Sequence, residues 1–97
     1  MELKEINEIT TKAIETYGQE PQIWMTIEEM SELGNALAKY RRDRVTKSDI
    51  CEEIADVLIM CIQMSKIFGE DRVKQMFEDK LIRLKERLGY VSIFIYN

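Results

Sequence analysis

Apolar residues recur along most of this chain at the three- and four-residue spacing of amphipathic helices, and the pattern divides into four segments. The first, about Leu3 to Tyr17, carries its stripe at Leu3, Ile6, Ile9, Ala13 and Tyr17, and Gly18 is a suitable stop for a helix within 1–18. The second opens at Pro21, a residue that suits the first helical position, and runs to about Arg42. Its stripe is Ile23, Ile27, Met30, Leu33, Leu37 and Tyr40, predicted to face the core. A polar connection, 43–47, leads to Thr46 or Ser48 as the N-cap of a third helix over 48–68, which Gly69 breaks. The fourth lies within 70–88, beginning near Asp71, and Gly89 ends it. The remainder, 90–97, reads YVSIFIYN; its β-branched and aromatic residues favour an extended tail that packs on the helices or pairs with another subunit.

The pattern predicts an all-α fold, one helical domain over 1–97 built as a four-helix bundle. The third helix is apolar nearly all round, with Ile50, Ile54, Val57, Leu58, Cys61 and Met64 on one side and Ala55, Ile59 and Ile62 on the other. Such a helix is expected to be buried on most sides, as the centre of the bundle or the seam of an oligomer. A chain of 97 residues buries only roughly 60–65% of its unfolded surface alone, so oligomerisation is a natural way to complete the core.

Composition, 45% hydrophobic and 33% charged, is that of an ordinary globular protein. The net charge of −4 gives no general attraction to nucleic-acid polymers or anionic membranes, and no apolar run approaches the roughly 20 residues of a membrane span. Cys51 and Cys61, ten positions apart on one helix, stand about 15 Å apart, too far for a disulfide. Two unpaired thiols and an N-terminus without a secretory apolar region read as cytoplasmic.

Four acids change this picture. Glu29 and Glu32, within EEMSE, and Glu53 and Asp56, within EIAD, form two i, i+3 pairs, each projecting from one helix face with Cβ atoms roughly 5–6 Å apart. Asp56 is the only charge between Ile54 and Ile62, and ionised acids are almost never buried without a compensating cation. Glu28 points roughly 100° away from Glu29. With no histidine in the chain, a Glu-x-x-His di-iron bundle is excluded and zinc disfavoured. All-oxygen ligation suits Mg²⁺, with Mn²⁺ as a possible substitute, and Mg²⁺ is commonly shared with substrate phosphates.

Cations are available for such a substrate. Lys80, Arg83 and Arg87 follow one another at i, i+3 and i+7 on the fourth helix, and Lys39 stands near the end of the second; all four are candidates to hold phosphate oxygens. Trp24 is either a packing anchor or a platform for a nucleobase, with Gln19 or Gln22 available to read the base edge. No glycine-rich phosphate loop is present.

EEMSE, then twenty residues, then EIAD resembles the EExxE and ExxD signature of the MazG-like all-α nucleoside triphosphate pyrophosphohydrolases. QIWMTIEEMSELGNALAKYRR followed by EEIADVLIMC is similar to the short single-domain members, and the likeness covers about Gln19 to Leu88. The resemblance implies Mg²⁺-dependent hydrolysis of a nucleoside triphosphate to the monophosphate and pyrophosphate, for sanitation or remodelling of the nucleotide pool. It implies metal ligands at Glu29, Glu32, Glu53 and Asp56, and a homodimer or homotetramer. Glu32 or Glu28 is then expected to orient or deprotonate the attacking water. The competing readings are a phosphohydrolase with another leaving group, and a helical protein-interaction module or inactive regulatory relative without turnover.

Overall fold

The computed structural model describes residues 1–89, and all regular structure among them is helical: α1 Leu3–Tyr17, α2 Gln19–Tyr40, α3 Lys47–Phe68 and α4 Glu70–Arg87. The all-α expectation holds. The segment 90–97, expected to form an extended tail, lies outside the described residues. The chain divides into two compact units, Met1–Ile67 and a second that begins at Phe68 and contains α4.

Local chemistry accounts for the helix boundaries, including those that differ from the sequence reading. Gly18 has φ +94°, a conformation that L side chains resist, and it both stops α1 and starts α2. Its N–H donates to the Ile14 carbonyl at 2.8 Å, and its own carbonyl accepts from the Gln22 N–H at 3.3 Å. α2 therefore begins at Gln19, two residues before the predicted start at Pro21. The proline sits within the first turn, where a backbone N–H would have had no intrahelical partner. α2 ends at Tyr40 instead of Arg42, because the chain tightens into a turn. Arg42 and Arg44 donate to the Lys39 carbonyl and Asp43 to that of Tyr40, each at 3.0 Å, with Asp43 at φ +57°.

Of the two candidate caps, Thr46 is the one used. Asp49 N–H donates to Thr46 Oγ1 at 3.2 Å, while Asp49 Oδ2 accepts from the Thr46 N–H at 2.7 Å and from its hydroxyl at 2.9 Å. This is a reciprocal capping box with aspartate in the place more often held by glutamate.

Burial in the first unit is the reverse of what the apolar stripes predict. Among the described residues, those buried are Thr10, Gln22, Thr26, Ala36, Met60 and Gln63, so the interior is mostly polar. The α2 stripe expected to face the core is largely exposed: Ile27, Met30, Leu37 and Tyr40 all face outward. On α3, Ile54, Leu58 and Ile59 are exposed as well, so the expectation of a helix buried on most sides is not met within one chain. The rows of α2 and α3 that are withdrawn from solvent are instead polar and small. Those rows are Gln22, Thr26, Glu29 and Ala36 on α2, and Glu53, Met60 and Gln63 on α3. Each row also has three- and four-residue spacing, so periodicity alone does not say which one faces inward.

The buried threonines are satisfied within their own helices, Thr10 Oγ1 donating to Ile6 O and Thr26 Oγ1 to Gln22 O, both at 2.8 Å. Lys66 Nζ donates to Asn7 Oδ1 at 3.1 Å and ties α3 to α1. In the second unit, α4 has acidic residues in its first turn, Glu70 and Asp71, and basic ones in its last, Lys85 and Arg87, an order that complements the helix dipole. None of its residues is buried, and its apolar residues Val73, Phe77 and Leu84 are exposed, as is Leu88 just after it. No helix among the described residues is long and apolar enough to cross a membrane.

The capping box gives a direct test of what starts α3. Thr46→Ala removes the two bonds made by the Thr46 hydroxyl and is expected to cost about 1 kcal/mol in urea unfolding, whereas Ser48→Ala is expected to cost much less.

Candidate metal centre

The hairpin of α2 and α3 brings the two acid pairs together. Glu32 and Glu53 stand on the turns nearer the connection, and Glu29 and Asp56 one turn farther along their helices. One carboxylate oxygen from each of Glu29, Glu53 and Asp56 lies within 4.8 Å of the other two. Glu29 and Glu53 are half-buried and Asp56 is exposed. Glu29 Oε2 and Glu53 Oε2 are shut off from solvent and have no hydrogen-bond partner. Glu32 is the fourth member: it lies close enough for its charge to act on both Glu29 and Glu53.

This crowding raises two of the carboxyls above the ordinary range. Glu29 is raised first by desolvation, then by the neighbouring carboxylates Glu32, Asp56 and Glu53. Glu53 is raised by desolvation, then by Glu32, Asp56, Glu52 and Asp49. Asp49 itself moves the other way, because the backbone and hydroxyl donors of Thr46 stabilise its ionised form.

The donor set fits a hard divalent cation. Three carboxylate oxygens converging from two helices are the all-oxygen donors that Mg²⁺ or Mn²⁺ would take, and Glu29, Glu53 and Asp56 would hold such an ion. A cation would also supply the partner that the two orphaned oxygens lack. Next to the acids, toward the connection, opens a cleft of about 310 Å³ lined by Glu32, Asn35, Ala36, Lys39, Val45, Asp49 and Glu53.

The other residues singled out in the sequence fall in several places. Lys39 lines the cleft. Glu28 is exposed and lies outside the acid group. Gln22 is buried, while Trp24, two positions on, is exposed on the other side of α2, so within one chain the two do not share a face. Gln19 is exposed. Lys80, Arg83 and Arg87 are exposed on α4 in the second unit, where Arg83 and Arg87 border a shallow pocket with Glu86. Sequence reasoning missed Asn35, Asp49 and Gln63. Asp49 and Gln63 follow from extending the Glu53–Asp56 face one and two turns along α3, a signal that was available; Asn35 carries no such mark.

The raised acids have a consequence for stability. Glu29 and Glu53 bind protons more tightly folded than unfolded, so their contribution is present at low pH and is lost as pH rises from the ordinary carboxylate value through the raised folded ones. In a chelator, the melting temperature of the wild type is expected to fall relative to that of Glu53→Gln as pH rises above about 4.5. Mg²⁺ or Mn²⁺ is expected to raise the wild-type melting temperature at neutral pH. Equal melting temperatures with and without the ion would count against a cation site here.

The family model of the MazG nucleotide pyrophosphohydrolase domain matches residues 18–88, which include α2, α3 and α4 and all four acids. No curated protein and no solved structure matches the chain. With the match spanning most of the sequence, the chain belongs to the MazG nucleotide pyrophosphohydrolase domain family.

Proposed function

We propose that this protein hydrolyses nucleoside triphosphates to nucleoside monophosphates and pyrophosphate, using Mg²⁺, or Mn²⁺ in its place, held by Glu29, Glu32, Glu53 and Asp56. The observation that carries the reading is the convergence of three carboxylate oxygens on facing helices, two of the acids having a buried oxygen without a partner, in a chain of this family. A divalent ion bound there neutralises polyphosphate charge and lowers the pKa of water beside it.

The chain's own groups supply the rest. Water attacks the α-phosphorus, the bond from that phosphorus to the bridging oxygen breaks, and pyrophosphate leaves. Glu32, outside the tight trio yet beside it and lining the cleft, is suited to take the proton of the attacking water, and its position favours it over Glu28. Lys39, on the cleft beside the acids, offers three N–H donors to the departing pyrophosphate. Lys80, Arg83 and Arg87 remain candidates for the same role from α4. Gln22 is proposed to read the base, and Trp24, on the other side of α2, to anchor a subunit contact or to stack on a base held by a second copy.

The outward apolar rows support a homodimer or homotetramer. Leu58 and Ile59 on α3 and Ile27 and Met30 on α2 expose side chains that a second copy would cover. Free Cys51 and Cys61 fit a reducing cytoplasm.

Ribo- and deoxynucleoside triphosphates incubated with Mg²⁺, with products resolved by chromatography, test the reaction. Monophosphate and pyrophosphate are expected, with turnover reduced at least about a hundredfold in Glu53→Gln. Orthophosphate as the product would point to a different hydrolase. No turnover of any nucleotide would favour the interaction-module reading. In sedimentation, the wild type is expected above monomer mass and Leu58→Glu closer to it.

A further inference from the structure

The residues of α2 and α3 withdrawn from solvent form a graded row of chemistry along the two helices with the acids at its middle. Toward the connection lies the cleft of about 310 Å³ containing Asn35 and Lys39. In the opposite direction along α3 come Met60, 5% exposed, and Gln63, 3% exposed, whose Oε1 has no hydrogen-bond partner. On α2 the same direction leads through Thr26, whose hydroxyl is spent on the Gln22 carbonyl, to the buried Gln22. The two ends therefore offer different recognition: a cation and an amide in an open cleft at one, uncharged amides beside an apolar side chain at the other.

We propose that the nucleotide lies lengthwise along this hairpin, its leaving pyrophosphate at Asn35 and Lys39 and its base at Gln63. The proposal rests on the hydrolytic reading above and deepens it by naming the residues that recognise each end. Three considerations support this direction.

The first is charge. Lys39 is the cation of the row, and its ammonium with the Asn35 amide provides donors for terminal phosphate oxygens. At the other end the α3 cation is Lys66, which is engaged with Asn7. The reverse orientation would set the polyanion against Met60 and Gln63.

The second is the unpartnered amide. A buried carbonyl oxygen without a donor destabilises the free protein, and a nucleobase carries the imide or amino N–H that satisfies it. The Gln63 side chain also presents a donor, so it can pair with an acceptor–donor edge as asparagine and glutamine pair with bases elsewhere. The third is length. Asp56 and Gln63 are seven residues apart on one helix, about 10 Å along its axis, comparable with the reach from an α-phosphate to the far edge of its base. Met60 stands between them, an apolar surface suited to the sugar.

Separate binding of the two product halves tests the orientation. Inorganic pyrophosphate, and the deoxynucleoside monophosphates of adenine, guanine, cytosine, thymine and uracil, are each titrated with Mg²⁺ into wild type, Lys39→Met, Asn35→Ala and Gln63→Leu. Lys39→Met and Asn35→Ala are expected to weaken pyrophosphate about tenfold and leave the monophosphates unchanged, with Lys39→Arg restoring most of the loss. Gln63→Leu is expected to do the converse, weakening the preferred monophosphate about tenfold and flattening the ranking of bases. Gln63→Met, closer in shape, serves if the leucine variant does not fold, and melting temperatures confirm that each variant is folded. The opposite pattern, equal weakening of both ligands by any one variant, or wild type binding neither ligand would overturn the orientation. Failure of the hydrolytic reading looks different: both ligands bind in the expected pattern, but no triphosphate releases pyrophosphate.

Discussion

Mutual repulsion among four carboxylates, confined between two helices, is the constraint on which the rest of this molecule turns. Glu29 and Glu53 are partly withdrawn from water and face Glu32 and Asp56, and both are raised in pKa by burial first and by neighbouring charge second. A protein interior tolerates such a group only when protons or a cation offset it. The arrangement therefore sacrifices stability in the free chain in order to hold a preorganised set of oxygen donors, a trade common at functional sites.

The same constraint explains the inverted burial. Where the residues withdrawn from solvent are mostly acids, amides and threonines, leucines and isoleucines such as Ile27, Leu37, Ile54 and Leu58 lie outward on α2 and α3. Only Ala36 and Met60 are buried apolar residues among the described ones, too few to stabilise a domain of this length on its own. The proposed oligomer and the proposed ligand site are thus two results of one decision about which row faces inward. The boundaries of the hairpin are fixed locally by Gly18 and by the Thr46–Asp49 capping box, so the register of the acid pairs does not depend on the apolar contacts.

Much of this was legible in the sequence. The four helices, the breaks at Gly18 and Gly69 and the two acid pairs follow from composition and spacing, because helix periodicity and glycine chemistry are local. The i, i+3 spacing of Glu29 with Glu32 and of Glu53 with Asp56 required each pair to share a face whatever the tertiary arrangement. Pro21 misplaced the start of α2 because proline is tolerated throughout a first helical turn. Gln63 shares the face of Glu53 and Asp56 by spacing, but its burial depends on what packs over that face, which spacing does not give.

By itself, then, the sequence determined the helices, their ends, the pairing of acids along each helix and the family signature, since all of these depend on neighbours within a few residues. Which face of α2 meets which face of α3 was decided only in three dimensions. That choice set the distance among Glu29, Glu53 and Asp56, opened the cleft at Lys39, buried Gln63 and turned Ile27, Met30 and Leu58 outward. Both faces of α2 carry helical periodicity, so the pattern permits either packing; the choice depends on how two helices dock, a property no single segment contains.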